Sequence, residues 1–247
     1  GGRVRFHRDE KNLLDENVII VDEVSMADTQ LMSALVRAVK PGARLILIGD
    51  DDQLPSVGAG NVLRDLLDSE RFATVRLNEI FRQAEESLIV TNAHRINRGE
   101  IPLLNVKDND FFFVPRQSDA DIAFTVTDLY KNRLPRKYGA DTVNNIQVIT
   151  PSRRGDGGTD NLNIMLQSSL NPPSKDKKEH KHRERVFREG DRVMQTKNNY
   201  ELEWYRDDDS EGMGIFNGDI GTVIKVDHLN QCLRICFDDR TVNYDFT

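Results

Sequence analysis

The sequence predicts an α/β fold in which a parallel sheet comes first and several short strands form a separate antiparallel unit at the end. Two apolar runs, residues 18–21 and 44–49, lack polar alternation, which is typical of strands buried on both faces of a parallel sheet. Residues 28–39 between them carry apolar side chains at helical spacing and complete a strand–helix–strand unit. From residue 190 onwards, short alternating segments separated by turn residues predict the antiparallel unit.

Acidic and amide side chains directly follow both predicted parallel strands. Asp22 and Glu23 come after the first strand, and the loop after the second contains Gln53. Because ligands bind outside the carboxyl ends of strands in open α/β sheets, we expect these side chains at one edge. Carboxylates there can hold a nucleotide-bound Mg²⁺ or accept a proton from an attacking water, and an amide can contact a γ-phosphate. Taken alone, the acid pair is explained equally well by a solvated turn.

The remaining elements follow from the same periodicities. Helices are predicted over residues 60–69, 87–97 and 119–130, and a further helix ends at residue 170. Strands are predicted over residues 72–77, 111–114, 145–150, 192–196, 221–226, 233–237 and 240–244. Residues 174–185 have almost no apolar side chains, which predicts a solvated loop unable to order itself. The only tryptophan, Trp204, falls in a predicted polar loop.

Three successive segments resemble the RecD/TraA family of superfamily 1 DNA helicases. They read DEVSM at residues 22–26, GDDDQLPSVGAG at 49–60 and LNEIFRQ at 77–83, and they resemble helicase motifs II, III and IV. Segments at 148–155, 190–200 and 216–221 resemble later signatures, so the resemblance covers most of the chain. It implies parts of two RecA-like parallel-sheet domains with an SH3-like small β-barrel insertion near the C-terminus. The implied division is 1–78, 79–189 and 190–247.

The resemblance also implies roles for individual residues. Asp22 would hold Mg²⁺, and Glu23 would be the general base. Gln53 would sense the γ-phosphate of ATP, and Arg82 would stabilise charge on the transferring phosphoryl group. The implied contacts to single-stranded DNA are Thr150, Pro151, Ser152, Arg153, Arg154, Asn198 and Asn199. From spacing alone, residues 150–154 favour a solvated strand-to-helix turn.

Composition limits the class of protein without identifying a partner. The formal net charge is −7, and no segment approaches the ~20 apolar residues of a membrane span. No signal peptide is visible, and Cys232 and Cys236 are predicted to be reduced packing thiols, so we expect a cytoplasmic protein outside the membrane. The acidic balance neither supports nor excludes nucleic-acid binding, because a local basic stripe matters more than the sum.

One element of an ATPase is missing from the sequence. The chain contains no Gly-Lys pair and therefore no phosphate-binding loop of the form G-x-x-x-x-G-K-[ST]. We expect an internal piece of a longer ATP-dependent helicase that moves 5′ to 3′ on single-stranded DNA, with the piece itself inactive. The alternatives are a catalytically dead relative, a non-catalytic DNA-binding or interaction module, and the motor of a TraA-like relaxase–helicase. Whether RecB-like and RecC-like partners join it stays open.

Overall fold

The computed structural model describes residues 6–77, 86–107 and 109–246, without the side chains of residues 141–143. The chain divides into two compact units, residues 1–113 and 114–247. In the described segments, no helix is both long enough and apolar enough to cross a membrane.

The first unit is built on a two-stranded parallel sheet. Its elements in chain order are β1 (Val18–Val21), a 3₁₀ turn (Val24–Met26), α1 (Thr29–Ala38), β2 (Arg44–Leu47), α2 (Val62–Asp68) and α3 (Leu88–Asn97). β1 and β2 pair in parallel from Val18 opposite Arg44 to Val21 opposite Leu47, with α1 as the crossover. The predicted strand–helix–strand unit is therefore confirmed.

Helix α1 begins where the sequence predicts a helix start. The carboxylate of Asp28 accepts a hydrogen bond from the N–H of Leu31 at 2.7 Å, which satisfies one of the unpaired donors of the first turn. Val24, Met32 and Leu63 are buried together, so α1 and α2 both pack on the 3₁₀ turn that follows β1. This small core holds the end of β1 in place.

The parallel pair is not buried on both faces, contrary to the prediction. Val21 and Leu47 pack against the core under α1 and α2. On the opposite face Ile20 is 61% exposed, and Ile46 and Ile48 are also exposed. A parallel sheet is covered only where helices lie on it, and the described residues supply helices to one face alone.

The second unit consists of helices followed by β-structure. Its helical elements are α4 (Asp119–Asp128), a π-helical segment (Leu129–Arg133), α5 (Leu134–Tyr138), a 3₁₀ segment (Ala140–Asn145) and α6 (Thr159–Leu170). Its strands are β3 (Glu179–His182), β4 (Arg185–Arg188), β5 (Arg192–Met194), β6 (Asn199–Tyr205), β7 (Glu211–Ile215), β8 (Ile220–Asp227), β9 (Cys232–Phe237) and β10 (Arg240–Asp245). Strands β5 to β10 form a six-stranded antiparallel sheet in the order β5-β8-β9-β10-β6-β7, and β3–β4 is a separate hairpin.

The core of this sheet agrees with the alternation in the sequence. Leu233, Ile235 and Phe237 are buried as predicted, and Val223 and Val242 pack with them. Burying each side chain of this size contributes roughly 1.5–3 kcal/mol. The four strands predicted after residue 190 are confirmed as β5, β8, β9 and β10.

Three other predicted strands are wrong. Residues 72–77, 111–114 and 146–150 form no strand, and residue 145 ends a 3₁₀ segment. Leu77 and Ile149 are 95% and 90% exposed. An apolar run becomes a strand only where a neighbouring strand completes its hydrogen bonds, and the described part of the chain places no strand beside these three segments.

Two predicted loops are ordered β-structure instead. Residues 179–188, most of which were expected to be a solvated loop, form the β3–β4 hairpin, and the His180 ring stacks on Phe246 at 3.6 Å between centroids. Trp204 lies in β6 and packs against the core of the six-stranded sheet, with Arg206 over its ring. In both cases a contact distant in sequence, Phe246 for His180 and Val242 for Trp204, adds to the local strand pairing.

Candidate nucleotide site and nucleic-acid surface

The carboxyl ends of β1 and β2 meet at one edge of the first unit. The N–H of Ile48 donates to the carbonyl of Val21 at 2.8 Å, and the N–H of Val24 donates to the carbonyl of Ile48 at 2.9 Å. Parallel hydrogen bonding therefore continues beyond both strands. Asp22 and Glu23 lie at the same edge as the start of the loop from Gly49, as the sequence predicts.

Asp22 and Glu23 form a tight exposed turn at this edge. The carboxylate of Asp22 accepts the N–H of Glu23 at 2.9 Å. Glu23 has φ 54° and ψ 38°, the left-handed conformation that non-glycine residues rarely adopt. The next two residues, Val24 and Ser25, are buried. Two carboxylates are thus exposed to solvent, and the buried residues Val24 and Ser25 hold the backbone that carries them.

The loop at residues 49–60 is anchored at both of its ends by close approach of glycines. A Cβ at Gly49 would lie 3.0 Å from the side chains of Val24 and Leu63, and one at Gly58 would lie 2.6 Å from the Cβ of Asp28. The N–H of Thr29 donates to the carbonyl of Ala59 at 3.0 Å. Gly49 therefore lets the loop begin against the 3₁₀ turn and α2, and Gly58 lets it end against the start of α1.

Gln53 lies inside this loop with its amide already engaged. Its Nε2 donates to Oδ2 of Asp50 at 3.2 Å, and Oδ1 of Asp50 accepts the N–H of Asp52 at 3.0 Å. Asp51 forms an exposed ion pair with Arg76 at 3.2 Å. For its amide N–H to contact a phosphate, Gln53 must exchange the bond to Asp50.

Ser25 also lies at this edge, and no pattern in the sequence predicts a role for it. It is 7% exposed, and among the described residues its Oγ has no hydrogen-bond partner. A buried hydroxyl without a partner is uncommon, and the only signal in the sequence is its place two residues after Glu23. Arg82, the predicted phosphoryl contact, lies outside the described residues.

The residues at this edge have the donor chemistry for Mg²⁺ but not a complete metal site. In the described ranges, no group of three or more His, Cys, Asp or Glu side chains is arranged to hold a metal ion. Mg²⁺ is usually bound by one or two carboxylates together with waters and substrate phosphates. Asp22 and Glu23 are exposed at the edge and match that pattern.

In the second unit, the predicted DNA-contacting turn folds back on the start of α6. The hydroxyl of Thr150 donates to the carbonyl of Gly157 at 2.8 Å, and the N–H groups of Thr159 and Asp160 donate to the carbonyls of Ser152 and Arg153, both at 3.1 Å. The Thr150 hydroxyl is therefore used internally. The turn presents the exposed residues Pro151, Ser152, Arg153 and Arg154.

The two arginines of this turn differ in their surroundings. Arg153 pairs with Asp160 at 3.2 Å, and Asp160 also receives Arg185 at 3.5 Å. Arg154 is exposed, and the structure gives it no ion pair within the described part of the chain. Arg154 is the more available cation, whereas Arg153 must leave a weak surface pair to contact a phosphate.

Asn198 and Asn199 lie where the chain enters β6. The Oδ1 of Asn198 accepts the N–H of Asn217 at 2.9 Å, and its Nδ2 donates to the hydroxyl of Tyr200 at 3.2 Å. The Oδ1 of Asn199 accepts the N–H of Glu201 at 3.2 Å. Both side chains are therefore hydrogen-bonded to nearby groups of the chain. To contact DNA, they would have to share or exchange these bonds.

Two protein-family models match the chain. The model described as "AAA domain" matches residues 3–112, and the model described as "ATP-dependent RecD-like DNA helicase SH3 domain" matches residues 162–237.

Several curated proteins are similar in sequence. The ATP-dependent RecD2 DNA helicase of Deinococcus radiodurans is 36% identical over 227 residues, which cover 92% of this chain and 28% of the relative. The RecBCD enzyme subunit RecD of Mycobacterium tuberculosis is 61% identical over 64 residues, covering 26% of this chain and 11% of the relative. A probable conjugal transfer protein TraA of Sinorhizobium fredii is 34% identical over 84 residues, covering 34% and 7%. The chain thus spans less than a third of the length of these relatives.

Among solved structures, a chain from a structure of two coordinating Pif1 helicases at forked double-stranded DNA matches with a TM-score of 0.42 and 14% identity. This match covers 96% of the chain and 55% of the Pif1 chain. Similarity at this TM-score does not establish a shared fold.

The family matches agree with the architecture of the two units. The AAA model falls on the unit with the parallel β1–β2 sheet, and the SH3 model includes most of α6 and most of the antiparallel sheet. The predicted fold class, RecA-like parallel-sheet parts with an SH3-like barrel near the C-terminus, is confirmed. On these matches, the chain is a homologue of the RecD2, RecD and TraA proteins named above.

Proposed function

We propose that this chain is an internal part of an ATP-dependent, 5′ to 3′ DNA helicase of the RecD type. The observation that carries the proposal is the junction of the β1 and β2 carboxyl ends, with Asp22 and Glu23 beside the loop that contains Gln53. The named relatives are ATP-dependent RecD2 helicase and RecD subunits, which supports an ATP-driven motor. We retain the predicted division into residues 1–78, 79–189 and 190–247 as part of this proposal.

ATP and Mg²⁺ are the cofactors of the proposed motor. Bound Mg²⁺ would neutralise charge on the phosphates, and the exposed Asp22 would be its protein ligand. Glu23 would accept the proton of the attacking water. Gln53 would leave Asp50 and contact the γ-phosphate, and Arg82 would approach the same phosphate.

Single-stranded DNA is the proposed partner of the second unit. Arg154, Arg153 and Ser152 would hold phosphates, since arginine and hydroxyl groups are common contacts to nucleic-acid backbone. Thr150 and Pro151 would shape the turn, and Asn198 and Asn199 would add contacts from the SH3-like barrel. DNA as substrate makes the cytoplasm the proposed compartment. Partners similar to RecB and RecC are compatible with the proposal but not required by it.

A non-catalytic DNA-binding module is the second candidate, and one observation favours it. The sequence has no Gly-Lys pair, so this chain has no loop in which backbone N–H groups and a lysine hold the β- and γ-phosphates. A third candidate, the motor of a conjugative relaxase–helicase, is favoured by the similarity to TraA. A nicking domain in the same reading frame would support the third candidate.

ATP hydrolysis separates the first two candidates. The chain as printed is expected to release no phosphate above a buffer blank, with or without oligothymidine. The reading frame extended to include a Gly-Lys-[ST] loop is expected to hydrolyse ATP, and Glu23→Gln in that longer protein is expected to remove turnover. Arg82→Lys there should keep ATP binding but lower turnover by ~10³-fold. An extended reading frame without such a loop, or without DNA-stimulated turnover, would overturn the helicase proposal.

A further inference from the structure

A buried carboxylate lies between helix α6 and the antiparallel sheet of the second unit. Asp191 is 8% exposed, and both of its oxygens are bonded. Its Oδ1 accepts from Nδ2 of Asn171 at 2.7 Å, and its Oδ2 accepts from Nε2 of Gln167 at 2.5 Å and from the N–H of Arg188 at 2.7 Å. One aspartate therefore contacts the end of α6 and the end of β4 together.

The donors to Asp191 are neutral amides, not a cation. The guanidinium of Arg188 is also buried, but it donates to Glu179 at 2.5 Å and to the carbonyl of Asn171. A buried carboxylate is costly unless its oxygens are hydrogen-bonded, and here each donor comes from a fixed element. The network therefore specifies one arrangement of α6 against its neighbours.

The backbone of Asp191 belongs to the sheet. Its carbonyl accepts the N–H of Val223 at 2.8 Å, and the carbonyl of Val223 accepts the N–H of Gly190 at 2.8 Å. Val223 is a fully buried residue of β8. The side chain of Asp191 thus holds α6 while its main chain is held by the core of the SH3-like barrel.

The other end of α6 carries the turn at residues 150–154. The first N–H groups of the helix bind the carbonyls of Ser152 and Arg153, and Asp160 pairs with Arg153. Twelve helical residues span about 18 Å and behave as a rigid rod between the two ends. The β4 strand also contacts this helix, because Gln167 donates to the carbonyl of Val186 at 2.8 Å.

We propose that Asp191 is a positioning residue for single-stranded DNA binding. By fixing the carboxyl-terminal end of α6 to the barrel, it sets the orientation in which the amino-terminal end presents Arg153 and Arg154. The inference rests on the proposed function, since it takes the turn at residues 150–154 as a contact to DNA. Asp191 touches no DNA itself and acts through α6.

Asp191→Asn is the sharpest perturbation, because it keeps the shape of the side chain. An asparagine offers one acceptor oxygen and turns an NH₂ group toward donors, so either Asn171, or Gln167 together with Arg188, loses its acceptor. Asp176→Asn is the matched control: it removes the same charge from an exposed position of the same unit. Any general electrostatic effect on DNA affinity is therefore shared by both variants.

Affinity for oligothymidine, measured by fluorescence anisotropy, gives the first readout. We expect Asp191→Asn to weaken binding about tenfold relative to Asp176→Asn, within the range of coupling between interacting residues. Arg154→Ala should weaken binding several-fold when residue 191 is aspartate. In a chain that also carries Asp191→Asn, it should weaken binding by less than about twofold. Equal effects of Arg154→Ala in both backgrounds, or equal affinities of the two asparagine variants, would overturn the inference. Emission of Trp204, which packs on the barrel core, checks that the barrel stays folded.

Amide hydrogen exchange without DNA gives a readout that does not depend on the proposed function. In Asp191→Asn, the amides of Thr159 and Asp160 should exchange about tenfold faster than in Asp176→Asn, with β8 and β9 unchanged. If exchange rises but the unaltered chain binds no DNA, the proposed function fails while the link from Asp191 to the turn stands. Unchanged exchange at both amides overturns the link. If Asp191→Asn does not fold, Gln167→Met, which removes one donor at similar volume, takes its place in both measurements.

Discussion

The N–H of Val24 donates to the carbonyl of Ile48 at 2.9 Å, and this bond fixes the peptide that follows Glu23. β1 ends just before Asp22 and Val24 is fully buried, and between them Glu23 adopts the left-handed conformation. Left-handed backbone in a non-glycine residue costs of order 1–3 kcal/mol. The strain thus falls on the residue that we propose as the general base.

Glu23→Gly should stabilise the first unit by about 1 kcal/mol, because glycine adopts this conformation without a Cβ penalty. Glu23→Gln keeps the Cβ and should leave the stability unchanged. Urea unfolding followed by far-ultraviolet circular dichroism compares the two variants. Equal midpoints for glycine and glutamine would show that the backbone at Glu23 is not strained.

Gly58→Ala should destabilise the first unit by roughly 1–3 kcal/mol, because its Cβ would lie 2.6 Å from the Cβ of Asp28. The same urea experiment measures the loss. The control is Asp28→Gly, which keeps an acceptable helix N-cap and removes the opposing side chain. Gly58→Ala should cost much less in that background, and an undiminished cost would mean that the loop at residues 49–60 does not pack on α1 in solution.

Binding to oligothymidine should be weak and should fall steeply with salt, because the net charge is −7 and the proposed contacts are to phosphates. Arg154→Ala should reduce the slope of log affinity against log salt by about 0.7, the value for one single-strand phosphate contact. The control is Arg136→Ala, which removes the same charge from an exposed position of α5 in the second unit. Anisotropy titrations at several salt concentrations give the slopes, and equal slopes for the two variants would remove Arg154 from the contact list.

Acidification should destabilise the second unit through His180. Burial lowers the pKa of His180 below its ordinary value of 6.5, and nearby His182 and His228 lower it further. The unfolded chain therefore binds more protons below that pH, so stability is full above about pH 7 and is lost as the pH falls from 6.5 through the lower pKa of the folded state. Carboxylates titrate lower, near pH 4, and do not obscure this window.

Urea midpoints from Trp204 emission, taken at about pH 7.5 and 5.5, measure the effect. His180→Phe keeps a ring that can stack on Phe246 and should remove most of the pH dependence. His94→Phe in α3 should leave the pH dependence intact. A dependence that survives His180→Phe would assign it to other groups.

Gly212→Ala should displace the only tryptophan and shift its emission to longer wavelength. A Cβ at Gly212 would lie 2.9 Å from Cε2 of Trp204, and the indole lies against the core of the barrel. Glu211→Ala, at the neighbouring exposed position of β7, is the control. An unshifted spectrum for Gly212→Ala would contradict the packing of Trp204 on β7.

Elements whose stability is local, or whose residue pattern is unambiguous, could be predicted from the amino-acid sequence. Asp28 before an apolar helical stripe defined the start of α1, and strict alternation defined the buried face of β9. The acids after β1 and the loop after β2 were expected at one edge because parallel strands end on the same side. Those features depend on the spacing of apolar residues, on helix capping and on chain direction. Each of these can be read from residues that are close together in the sequence.

Contacts between distant parts of the chain determine which apolar runs become strands and which polar runs become ordered. Residues 72–77 and 146–150 resemble strands but have no neighbouring strand in the described chain, whereas the polar β3–β4 hairpin is ordered by His180 stacking on the distant Phe246. The Asp191 network likewise joins a side chain of α6 to main-chain groups of β4 and β8, and no local pattern connects them. Strand pairing and buried polar networks depend on partners that are distant in the sequence. The sequence of one segment does not specify where such a partner lies, because the fold of the whole unit places it.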